Sequence, residues 1–237
     1  RGLEALDHDR NLASINNDGS ITSLVSANPA AGFSIVKYRS IANLQQFGVG
    51  HGLSSAPEII LQKKYGPSST SVSNWYVITS VIDGSIDYLN LNGTAIKTDM
   101  TGTFANFQLG SSTFTDWWTG PDQDIINYCW HSVAGYSKIG TYEGTNSTVT
   151  VSDVGFKPSF VMIKNVDDTG NWVILDNSRN TITDRLNNWL RADTNGAETG
   201  AVSTAYITVN DNGFIVANTT SLGTNSNGDT YLYMAFK

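Results

Sequence analysis

Three aromatic rings and three carboxylates crowd into one short stretch, Phe114-Thr115-Asp116-Trp117-Trp118-Thr119-Gly120-Pro121-Asp122-Gln123-Asp124. Phe114, Asp116, Trp117 and Trp118 are the candidate binding residues. An indole can stack its face on a sugar ring, bury in a subunit contact or pack against the rest of its own chain. In each case it contributes about 150–250 Å² of surface. The segment that corresponds to this run later in the chain, Ser221 to Asp229, is polar apart from Leu222.

Other chemistry is sparse. His8, His51 and His131 are the only histidines, and none has the companions of a zinc motif. No serine sits in a Gly-x-Ser-x-Gly elbow, and no phosphate-binding loop is present. A glycosidase needs two carboxyls about 5–10 Å apart. The candidates are Asp83, Asp87, Asp116, Asp122, Asp124, Asp167 and Asp168, most of them beside turn residues where Asp serves the backbone. Asp167-Asp168-Thr169-Gly170-Asn171 offers hard oxygen ligands for calcium but lacks EF-hand spacing, and a hairpin turn is the preferred reading. The expectation is a non-enzyme with no catalytic residue, no metal site and no cofactor. Cys129, the single cysteine, lies in an apolar strand pattern and reads as a buried structural thiol.

Composition limits the partners. The chain has 237 residues, 40% hydrophobic and 15% charged, with a net charge of -7. That charged fraction is low against a usual value of about 25%, and Asn, Ser, Thr and Gly supply the polarity instead. Such a surface suits an extracellular or virion β-protein. Acids outnumber bases 21 to 14 with no basic run, which argues against nucleic acid, whose phosphates demand Lys and Arg. No apolar run of about 18 residues exists, so no membrane insertion is expected. The first residue is Arg1 rather than Met, which suggests a processed form or part of a longer chain.

The elements that would hold these residues are strands. Ile59-Ile60-Leu61 and Phe160-Val161-Met162-Ile163 are short apolar runs behind Pro57 and Pro158. Thr183 to Leu190 has a helix-like i, i+4 Leu pair, but its counterpart Asp87 to Asn92 alternates, so strand is preferred in both. The same blocks occur twice, roughly 100 residues apart, which is the mark of an internal repeat. Pro57 pairs with Pro158, Asn74-Trp75 with Asn171-Trp172, and Ile125 to Trp130 with Tyr231 to Phe236. The expected fold is all-β: two tandem, jelly-roll-like β-sandwich units related by duplication, either separate or merged into one larger sandwich. Residues 1–29 read as a lead-in with a hairpin turn at 16–19, residues 30–134 as unit one and residues 135–237 as unit two. Trp75 and Trp172 are expected as core anchors.

Several blocks carry a resemblance: Gly155-Phe156-Lys157-Pro158-Ser159-Phe160-Val161-Met162-Ile163-Lys164, Tyr128 to Gly140, Tyr231 to Phe236 and Ser26 to Val36. Together they resemble a domain of unknown function found in tail-fibre and other virion structural proteins of tailed, often marine, bacteriophages. The resemblance implies a virion location. It also implies a tail-fibre or receptor-binding module that contacts host surface glycans. The alternative is a capsid decoration or fibre-building subunit. Partners would then be other virion proteins and further copies of the chain, with a homotrimer as the expected assembly. No catalytic residues come with the resemblance.

Overall fold

The computed structural model describes residues 13–41, 47–66, 73–100, 108–116, 122–179, 184–200, 207–217 and 222–237. In chain order the strands begin with β1 (Ser14–Asn16), β2 (Ser23–Asn28), β3 (Phe33–Arg39), β4 (Phe47–Gly50), β5 (Ile59–Lys64) and β6 (Tyr76–Thr79). There follow β7 (Asp87–Asn90), β8 (Thr98–Asp99), β9 (Thr113–Asp116) and β10 (Asp124–Trp130). Next are β11 (Ser137–Glu143), β12 (Val149–Val151), β13 (Phe160–Asn165), β14 (Val173–Asp176) and β15 (Arg185–Leu186). The last are β16 (Trp189–Arg191), β17 (Ile207–Asn210), β18 (Gly213–Val216) and β19 (Thr230–Phe236). The fold is all-β with antiparallel sheets, as the period-two patterns require. The stretch with the helix-like Leu pair forms β15 and β16. Among the described residues no helix is long and apolar enough to cross a membrane.

Two compact units result, Arg1–Ile78 with Met100–His131, and Thr79–Asp99 with Ser132–Lys237. This division differs from the expected boundaries at two places. The supposed lead-in is a structural part of unit 1, because β2 pairs with β3 from Leu24↔Lys37 to Asn28↔Phe33 and β1 pairs with β2. The segment Thr79–Asp99 groups with unit 2, held there by backbone bonds from Lys97 N to Val166 O and from Gly170 N to Thr94 O. Sequence order alone would have given it to unit 1.

Unit 2 is a β-sandwich. One sheet runs β11-β19-β13-β14-β16 and the other β12-β18-β17-β15. Inward residues of both sheets form one apolar core that includes Val161, Ile163, Leu175, Ile207, Phe214 and Tyr231. Burial of each large apolar side chain contributes about 1.5–3 kcal/mol. Tyr142 stacks on Tyr231 at 5.1 Å and meets Phe214 edge-on at 6.1 Å across the core.

Unit 1 carries the ladder β3-β10-β5, and β4 pairs with β9. Along β10 the side chains alternate: Ile125, Asn127 and Cys129 are buried, and Ile126, Tyr128 and Trp130 are half-buried. Burial pushes the Cys129 thiol up to about 12, so it is an inert core thiol. Tyr38 lies 6.1 Å from Phe114, the same spacing as Tyr142 to Phe214.

The two ladders agree residue by residue. In unit 1 Phe33, Trp130 and Ile59 lie side by side, as do Tyr38, Ile125 and Lys64. In unit 2 the corresponding rows are Ser137, Phe236, Phe160 and Tyr142, Tyr231, Asn165. The second pairing also agrees, with Val49 opposite Phe114 in unit 1 and Val151 opposite Phe214 in unit 2.

Trp172 is buried, and its indole N–H donates to Asn90 O at 2.9 Å, as expected of an anchor. Trp75 differs. It is half-buried, 6.1 Å from the Tyr128 ring, with the Lys63 ammonium 5.7 Å over its face.

Candidate binding site

The four residues singled out in the sequence separate in the fold. Phe114 sits in β9 with no solvent exposure, in the core beside Tyr38, and so leaves the binding set. The error has a physical source. The polar Ser221 to Asp229 segment is not its counterpart, because strand register matches Phe114 to Phe214, a core residue in both units. Asp116 ends β9 opposite Phe47. Trp117 and Trp118 lie outside the described residues.

The carboxylates fall into three groups. Asp122 and Asp124 flank Arg39 at 3.8 and 3.2 Å. Asp83, Asp87 and Asp99 surround the Lys97 ammonium at 2.6, 3.2 and 2.8 Å. Burial, and then the neighbouring Asp99, push the Asp87 carboxyl up to about 7. Hydrogen bonds from Lys97 and Ser85 hold Asp83 down at about 2. Partial burial opposes the Lys97 charge, but the three carboxylates outweigh it and raise its pKa. Paired carboxyls with divergent pKa values are what acid–base catalysis uses. Here, however, Asp87 is fully buried, out of reach of any substrate, and the ammonium stands where a metal ion would stand. The group is an ion-pair knot.

The third group borders an open cavity of about 270 Å³ in unit 2, close to the lower end of ligand-site volumes of about 300–1,000 Å³. Three separate segments build it: the β13–β14 loop with Asn165, Asp168 and Asn171, Arg191 at the end of β16, and Leu222 to Ser226 before β19. Asn165 organises the floor. Its side-chain oxygen accepts from Asp167 N and Asp168 N, and its amide donates to Asp229 and to the Tyr231 hydroxyl. That hydroxyl in turn accepts from Ser226 N at 2.8 Å, which ties the third segment to the first. Asp167 anchors the loop by accepting from Thr230 N. Asp193 holds Trp172 N at 2.8 Å beside the loop. The stretch Asp167 to Asn171, weighed in the sequence between calcium loop and turn, is thus a hydrogen-bonded turn.

Behind this floor Lys164 is fully buried, and its ammonium donates to Asn165 O at 2.7 Å and to Thr94 O at 3.2 Å. Desolvation lowers it to about 8 against the attraction of Asp193 and Asp168. Arg191, Asn171 and the Ser226 hydroxyl make no side-chain hydrogen bond among the described residues and line the cavity. Sequence reasoning missed Arg191, Asn165 and Ser226. No local motif joins them, since the cavity exists only after three loops converge.

A family model, the domain of unknown function DUF7483, matches residues 8–237. The chain belongs to the DUF7483 family. The match runs across both units, so one DUF7483 domain contains the two ladders. No curated protein and no solved structure matches the chain.

Proposed function

We propose that this chain is a non-catalytic virion surface module of a bacteriophage, of tail-fibre or receptor-binding type, that contacts host surface glycans. One observation carries the reading: the open polar cavity at the loops of a rigid sandwich, lined by Arg191, Asp168, Asn171 and Ser226. A scaffold that fixes loops while leaving their polar groups available is a common way to build recognition. The matched order and register of the two ladders supports a further part of the proposal, that the units arose by duplication.

A second reading, a decoration or fibre-building subunit that meets other virion proteins or its own copies as a trimer, has its own support. Phe33, Trp130, Tyr128 and Trp75 form a row of half-buried rings with successive centroid distances of 4.8, 6.3 and 6.1 Å. Aromatic residues are enriched in protein interfaces.

The test uses intact particles and the purified chain. An antibody to the chain should label the tail, and excess chain should block adsorption of particles to host cells. Head labelling with no block of adsorption would favour the structural subunit and overturn the receptor reading.

A further inference from the structure

We infer that the unit 2 cavity is a subsite for one neutral pyranose residue, read through adjacent hydroxyls by Asp168, Asn171 and Arg191. The inference rests on the glycan reading above and names the class of sugar. Three observations lead to it.

Adjacent sugar hydroxyls each need an acceptor for their proton and a donor for their oxygen. The cavity supplies both kinds from side chains with capacity to spare. Asp168 Oδ1 is occupied by Thr169 N and the Thr169 hydroxyl, while Oδ2 makes no hydrogen bond among the described residues. Arg191 contributes donors in a fixed fork and Asn171 contributes both donor and acceptor. The Ser226 hydroxyl can take either role.

The site is also built in advance. Asn165 makes four hydrogen bonds that fix the first segment and, through Tyr231, the third. Arg191 is set by strand pairing with Val173 at the start of β14, immediately after the first segment. The loop backbone is thus ordered before a ligand arrives, and binding has to order only the side chains of Arg191, Asn171 and Ser226.

Charge then selects among sugars. Asp167, Asp168, Asp193 and Asp229 surround or support the site, against the cations Arg191 and buried Lys164. Carboxylates in excess repel an anionic sugar. The cavity volume suits one ring of a longer glycan.

The test is amide NMR of the full chain titrated with neutral hexoses (glucose, galactose, mannose) and with glucuronate and galacturonate. At least one neutral sugar should shift resonances of residues 165–171, 191 and 222–226, and the uronates should bind about tenfold more weakly or worse. Asp168→Asn and Arg191→Gln, both at exposed positions, should each weaken neutral-sugar binding about tenfold or more while leaving the remaining spectrum in place. Asn171→Ala gives the same readout should either of those variants disturb the loop. Tighter binding of a uronate, shifts confined to other residues, or full affinity in all three variants would overturn the subsite. The two readings fail separately. If the pocket variants still block particle adsorption as well as the parent chain, the subsite is wrong and the receptor role stands. If the sugar binds here but the chain never blocks adsorption, the receptor role is wrong and the subsite stands.

Discussion

Units 1 and 2 run the same three-stranded ladder in the same register, yet fill its centre in opposite ways. Where unit 1 places Val36, Asn127 and Gln62 across the sheet, unit 2 places Gly140, Tyr233 and Ile163. In unit 2 the tyrosine ring occupies the space a side chain at position 140 would need. A Cβ there would stand 2.7 Å from the Tyr233 hydroxyl and 2.9 Å from its Cζ. The ring's hydroxyl reaches Asp153 at 3.1 Å, so its polar end is satisfied. In unit 1 the small strand residue becomes valine and the ring becomes asparagine, whose buried Oδ1 and Nδ2 have no hydrogen-bond partner among the described residues. Register is thus common to the units, whereas volume is exchanged between facing strands as a set. Unit 1 accepts a buried amide for it.

The largest test of this comparison is at the paired tryptophans. Trp172→Ala should destabilise the chain by about 3–5 kcal/mol, the cost of emptying a full indole site. Half-buried Trp75→Ala should cost clearly less, and thermal melting of the two variants in parallel would measure the gap. Equal losses would mean that the exposure difference between the units carries no energetic weight.

Gly140→Val transplants the unit 1 residue into unit 2 against an intact Tyr233. Overpacking of this kind costs about 1–3 kcal/mol, read as a lower denaturation midpoint. Adding Tyr233→Leu should return part of the loss as a positive coupling in a double-mutant cycle. Strict additivity would contradict the exchange of volume between facing strands.

The reciprocal change in unit 1 has the opposite sign. Asn127→Val removes two unpartnered polar atoms from the core, a relief of about 1–3 kcal/mol. A raised melting temperature is the expected result, and a lowered one would mean the amide is satisfied by bound water.

The smallest effect separates the ion-pair knot, which lies in the segment grouped with unit 2. Asp87 has a folded pKa near 7, above its ordinary value of 3.8. The folded state therefore holds the proton more tightly, and the associated stability is full below about pH 3.8 and lost as pH rises through 7. Asp83, depressed to about 2, behaves oppositely, keeping its stabilisation above its ordinary value and losing it as pH falls towards 2. Between pH 4 and 7 Asp87 acts without Asp83, and the contribution of His51, whose pKa burial lowers from 6.5, is common to parent and variant. The melting temperature of Asp87→Asn should gain on that of the parent across this window, and a constant difference would show that Asp87 does not titrate there.

Much of this frame was legible in the sequence, for a definite reason. Pro57 and Pro158 precede strands that occupy the same ladder position, and Ile125 and Tyr231 share a register row, because period-two burial writes itself into local residue order. Thr183 to Leu190 could be read as strand by reference to its sister block. Placement that depends on distant contacts was not legible. Phe114 reads as a loop aromatic when its run is matched to the polar Ser221 to Asp229 segment, whereas the flanking pair Val49 and Phe114, repeated as Val151 and Phe214, assigns it to a core strand. The grouping of Thr79–Asp99 with unit 2 rests on bonds to Val166 and Trp172, far along the chain. Arg191 reaches the cavity for the same kind of reason.

One feature of the ladders bears on how the chain is made. The middle strand of each, β10 or β19, is the last of its three to leave the ribosome, after β3 and β5 or β11 and β13. Until it arrives, the two earlier strands cannot be bridged, and each offers a bare edge to whatever strand lies nearby. Such long-range pairing slows folding, and bare edges invite mispairing between crowded nascent chains. While unit 2 is still being translated, unit 1 can already close on β10. β11 and β13 then repeat the wait of β3 and β5 over a similar length of chain, so chaperone demand during synthesis should rise twice, once before β10 and once before β19.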